Sequence, residues 1–183
     1  MIDRSQLLVL TSILYGLAIA RYFDLNSKYF YNKNKIVFEW LITGWSILAF
    51  LFMVRTWWEY ANTSALIQIS FFNYIEILTV AIILYIQSTL LTPDIPKDEL
   101  LDLKKHYLKI SPYFFGSILL IFLKNQITRL FTNVNEIFSL LNYIRLIFIV
   151  CLLIMIINKN RIFHIIMFFV SAVLYLSFVI LAK

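Results

Sequence analysis

Three cations stand in stretches of this sequence that are otherwise apolar: Lys124 and Arg129 in one run and Arg145 in the next. A charge near the centre of a bilayer costs roughly 2.5–3.5 kcal/mol on insertion scales, so such side chains face other helices, a partner charge or water. One carboxylate, Glu76, sits in an earlier apolar run; Asn142 lies one turn from Arg145, and Asn125 adjoins Lys124. At about 1.5 Å per residue, Glu76, Lys124 and Arg145 all fall within roughly 5 Å of the midplane, on the same side of it. Arg129 falls nearer the headgroups, within snorkelling reach of water. The shared depth predicts that Glu76 pairs with Arg145 or Lys124 and leaves one cation for another task.

That arrangement admits two readings within one chain. In the first, Glu76 neutralises a cation and fixes helix packing. In the second, two cations against one carboxylate leave a positive potential in a polar cavity. Such a cavity would bind or pass an anion, hold an anionic headgroup, or gate a pore. A further reading has the charges contact a helix of another subunit. The pathway candidates are therefore Glu76, Lys124, Arg129, Asn142 and Arg145.

Other chemistry finds little to work with. His106 has Asp102 one turn back and Glu99 before that, a spacing compatible with a metal face, but no second histidine is near. The expectation is a solvated surface with no metal. His164 opens the last apolar run and is expected to meet headgroups. Ser171 and Ser177 have no base at hand. No glycine-rich phosphate loop, cysteine pair or His-x-x-x-His occurs. No catalytic residue and no cofactor are expected, and an enzyme is disfavoured; a lipid-active one would have to use Asp102 and His106.

The elements that must position these residues follow from composition. With 62% hydrophobic and 14% charged residues and a mean hydropathy of +0.85, the chain lies outside the soluble globular range. Six runs approach the ~20 apolar residues needed to cross ~30 Å of hydrocarbon. They lie at about 6–22, 36–54, 65–91, 112–131, 137–157 and 162–181. Unpaired backbone groups are not tolerated in lipid, and no alternation suggests a barrel, so the runs are read as helices. Ser12, Gly16 and Ala20 form a small-residue ladder in the first run that admits close approach of another helix. The fold class is thus all-α: a polytopic protein of about six transmembrane helices, residues 1–183 forming one transmembrane domain.

The net charge of +6 is spent on orientation rather than on nucleic acid, because the cations cluster at run ends. Loops after the first, third and fifth runs hold ten Lys and Arg against four on the other side, which places those loops in the cytoplasm and both termini outside. Between the third and fourth runs, Pro96 is placed to start a short amphipathic helix over 97–109, with Leu100, Leu101, Leu103, Tyr107 and Leu108 on one side. It divides the chain into two three-helix halves.

Tyr15-Gly16, Ala20-Arg21, Trp57-Trp58, Pro93-Asp94 and Asp102-Leu103 followed by His106-Tyr107 resemble a group of small, uncharacterised multi-pass bacterial membrane proteins. The resemblance covers roughly the first two-thirds of the chain. It implies a bacterial inner-membrane location and supplies neither an activity nor functional residues.

A chain with almost no extramembrane domain is expected to act on the membrane itself. Six helices enclose a pathway most easily as a ring of subunits. The expected function is an oligomeric channel or pore-forming protein, of the kind a membrane-permeabilising effector of bacterial defence would be. The alternative is a membrane-embedded binding or assembly subunit. The expected partners are the lipid bilayer and either further copies of the chain or a partner membrane protein.

Overall fold

A computed structural model describes residues 4–31, 33–63, 71–94, 100–132 and 140–181. Among these, six α-helices carry almost all of the chain: α1 (Arg4–Tyr31), α2 (Trp40–Thr63), α3 (Phe71–Leu91), α4 (Leu103–Thr132), α5 (Leu140–Ile157) and α6 (Arg161–Leu181). A 3-10 turn, Lys33–Lys35, and two short strands, β1 (Ile36–Val37) and β2 (Leu101–Asp102), complete it. The strands pair in parallel, Ile36 opposite Leu101 and Val37 opposite Asp102.

Among the described residues, three segments are long and apolar enough to cross a membrane: Trp40–Ala61, Tyr74–Leu91 and Leu103–Thr128. Two shorter apolar helices cover Asn142–Ile157 and Arg161–Ser177. Large apolar side chains cover the outside, including Ile147, Val150 and Ile154 of α5 and Ile166, Phe169 and Val173 of α6. Exposed apolar surface on this scale marks contact with lipid or protein rather than water. The molecule is a membrane protein.

The helix ends differ from the limits of the apolar runs because polar contacts carry the helices past them. α1 continues beyond Tyr22, where Asp24 and Lys28 pair at 2.8 Å across one turn. α2 continues beyond Val54 through the Arg55–Glu59 pair at 2.7 Å. Each such pair supports a helix by a few tenths of a kcal/mol, about 0.2–0.5.

The largest difference concerns α4. Instead of a short interfacial helix over 97–109 followed by a separate span, one helix starts at Leu103 and runs through Pro112 to Thr132. Residues 95–99 lie outside the described residues, and Leu101–Asp102 is strand. Asp102 supplies the start: its Oδ1 accepts from the Lys104 and Lys105 amides at 2.9 and 3.0 Å, an N-cap. The proline is accommodated locally. Pro112 has no N–H for the Leu108 carbonyl four residues back, and the Ser111 hydroxyl donates to that oxygen at 3.3 Å.

The chain forms two compact units, Met1–Tyr107 and Leu108–Lys183. In the first, α1 packs on α3 and α2. The buried face of α1 is Thr11, Tyr15, Ala18 and Tyr22; Leu41, Trp45 and Met53 of α2 and Val80, Leu84 and Leu91 of α3 complete the core. Tyr22 and Phe23 both meet the Phe50 ring edge-on. At the β1–β2 end, Thr92 donates to the Arg21 carbonyl at 3.2 Å, Lys28 reaches Asp94 at 3.6 Å, and the His106 ring contacts the Leu90 carbonyl at 3.0 Å. Glu39, only 3% exposed, accepts from the Leu41 amide and so caps α2.

In the second unit α5 and α6 form a tight hairpin. Asn158 Oδ1 accepts from the Asn160 amide, and Asn160 Oδ1 accepts from Ile162, capping α6. His164 is 0% exposed rather than at the headgroups. Its Nε2 lies 2.8 Å from the Asn158 carbonyl, and its ring meets Phe115 of α4 edge-on. An orphan carbonyl at the end of α5 explains the burial: the imidazole satisfies it.

Candidate functional site

The polar centre of the second unit is built on a single face of α5. Asn142, Ile149, Leu152 and Met155 are buried along it, and Arg145, one turn from Asn142, is half-buried on the same stripe. Spacings of three and four keep these residues on the inner side, while Tyr143, Ile147, Val150 and Ile154 point out.

Asn142, 4% exposed, meets an amide of α4. Gln126 Nε2 donates to Asn142 Oδ1 at 2.7 Å, and Gln126 Oε1 is buried without a hydrogen-bond partner. Phe122 and Phe148 lie together beside this pair, ring centroids 5.0 Å apart. The arrangement is a polar belt, two amides and a guanidinium, in an apolar helix pair. Chemically it offers the unpartnered Oε1 of Gln126 to a donor.

Sequence reasoning reached Asn142 and Arg145 but missed Gln126. The signal was available, since Gln126 is the one uncharged polar residue on the inner stripe of α4 at the level of Asn142. Lys124 does not share that direction. Two residues separate it from Gln126, roughly 200° around the helix, so the half-buried Lys124 faces another side of α4. Arg129 lies in α4, but its side chain is outside the described residues.

Glu76 belongs to the first unit, whereas Lys124 and Arg145 belong to the second. Glu76 is half-buried on α3, in the same unit as Tyr60 of α2 and Tyr15 of α1. The Tyr15 hydroxyl is buried with no hydrogen-bond partner, and so is Nε2 of Gln87 on α3. Tyr15 was not singled out from sequence as a site residue because an aromatic residue in the middle of an apolar run reads as core.

The ladder Ser12, Gly16 and Ala20 lies on the exposed side of α1, opposite the Tyr15–Ala18–Tyr22 face that packs the bundle. A side chain added at Gly16 would meet nothing within 4 Å. Ser12 alone has a neighbour there, accepting from Trp57 Nε1 at 3.3 Å.

Among the described residues no group of three or more His, Cys, Asp or Glu is placed to hold a metal ion. Comparison of the chain with protein-family models, with curated proteins and with solved structures finds no match.

Proposed function

We propose that this protein is a six-span bacterial inner-membrane protein that works as an oligomeric channel or pore, with both termini outside. The observation that carries the reading is the α5 belt: Arg145 half-buried in an apolar helix, one turn from the buried Asn142–Gln126 amide pair. A guanidinium within an apolar helix faces the bundle interior, a partner group or a water-filled pathway. The cation sign favours anions. α1, α5 and α6 supply the spans beyond the three helices that are long and apolar enough to cross, α5 and α6 rising about 27 and 32 Å against ~30 Å of hydrocarbon.

Two observations argue against a lipid-active enzyme. Asp102 is engaged in capping α4, and His106 Nε2 is engaged with a backbone carbonyl. A second reading, a membrane-embedded assembly subunit, is favoured by the open Gly16 position on the exposed face of α1. Ion efflux from liposomes containing the purified protein, with subunit stoichiometry counted in nanodiscs, separates the two. A ring that releases ions supports the pore. A tight monomeric protein that releases none leaves the assembly subunit.

A further inference from the structure

Among the described residues, one face of α4 carries a graded series of largely exposed side chains. Lys105, Lys109, Tyr113, Gly116, Leu120, Leu123 and Ile127 follow one another at spacings of three and four, within about 80° of arc. Tyr113 is 68% exposed, and Leu120, Leu123 and Ile127 are all exposed. Gly116 interrupts the ridge, and a side chain there would meet nothing within 4 Å. The order along the helix is therefore two ammonium groups, a phenol, a notch and an apolar ridge.

We propose that this face seats an anionic phospholipid, its phosphate on Lys105 and Lys109 and one acyl chain lying in the Gly116 notch along Leu120, Leu123 and Ile127. Charge and length both select that occupant. Lys105 and Lys109 stand where α4 begins, and the positive end of the helix dipole adds to their field. Among the described residues the counter-charge on the face is Asp102, whose Oδ1 is held by the Lys104 and Lys105 amides and whose Oδ2 lies 4.0 Å from the Lys105 ammonium. One carboxylate against two ammonium groups leaves the face cationic. Tyr113 then marks the ester level, as an amphipathic ring does at a membrane interface. From Tyr113 to Ile127 the helix rises about 21 Å, more than the ~15 Å of one leaflet, so a whole acyl chain finds wall to lie on. The proposal does not depend on the pore reading.

The test is native mass spectrometry of the full chain released from nanodiscs of equimolar phosphatidylglycerol and phosphatidylcholine. A lysine at an anionic surface is worth about a fivefold preference, so the two together give about 25-fold retention of phosphatidylglycerol over phosphatidylcholine. Lys105→Gln with Lys109→Gln should bring the ratio near one, and Lys105→Arg with Lys109→Arg should keep it. Gly116→Leu fills the notch with the charges intact and should lower phosphatidylglycerol retention in a protein of unchanged helix content. A wild type without preference, or a glutamine variant that keeps it, overturns the proposal. So does a disulfide-linked dimer formed by Leu120→Cys on a Cys151→Ser background, which would show that a second copy covers the face.

Discussion

Replacing Asn142 by leucine tests the α5 belt at its most buried point. In the wild type Gln126 Nε2 has Asn142 Oδ1 as acceptor at 2.7 Å, while Gln126 Oε1 has no partner. Asn142→Leu therefore leaves both ends of the Gln126 amide unsatisfied in an apolar helix pair. Interhelical polar contacts in membranes average about 0.6 kcal/mol and reach about 1.7. Stranding a buried polar group adds about 1–3 kcal/mol. The single variant should thus lose about 2–5 kcal/mol. Gln126→Leu with Asn142→Leu removes the polar pair altogether and should return to within about 1 kcal/mol of wild type. The assay is reversible unfolding in mixed micelles of rising sodium dodecyl sulfate content, followed by circular dichroism for wild type, both singles and the double. A coupling of about 1 kcal/mol or more between the sites supports the pair. Additive losses, with the double as unstable as the sum of the singles, would refute it.

Asp102→Ala removes the acceptor for two amides at the start of α4 and should cost about 0.5–2 kcal/mol, with Asp102→Asn retaining most of that stability in thermal unfolding. Ser111→Ala frees the Leu108 carbonyl that Pro112 cannot serve and should lower stability by about 1 kcal/mol. Restoring the missing N–H by Pro112→Ala in that background should recover it, read in the same unfolding assay. For topology, cysteines placed at Asn32 and at Asp98 on a Cys151→Ser background should both resist an impermeant thiol reagent in intact cells. Labelling of position 32 from outside would invert the orientation derived from the cation count.

Most of the helix positions were legible because hydrocarbon-length apolar runs leave few alternatives. Their ends were not, since hydropathy reports the edge of lipid while Asp24–Lys28 and Arg55–Glu59 hold the helix beyond it. Pro112 read as the start of a span, but Asp102 holds the start of α4 and Ser111 serves the carbonyl that Pro112 leaves, a hydroxyl-to-carbonyl contact invisible to periodicity; Pro96 lies outside the described residues. Depth along a helix came easily from counting, whereas direction around it did not. Lys124 and Arg145 were grouped by depth, but the angle between residues 124 and 126 turns the lysine off the Gln126 face. The small-residue ladder of α1 followed a sound packing rule, yet tyrosines fill the buried face and leave Gly16 outside. Glu39 escaped notice because a glutamate in the first turn of an apolar run resembles an interface charge; its burial depends on tertiary packing.

The central claim, that Arg145 belongs to an ion pathway, is tested most directly by the reversal potential of reconstituted protein under a chloride gradient. Wild type should favour anions, and Arg145→Leu should move the reversal potential toward the cation side while leaving assembly intact. A folded, conducting Arg145→Leu protein with the wild-type reversal potential would contradict the account, as would a wild type that conducts no ions at all.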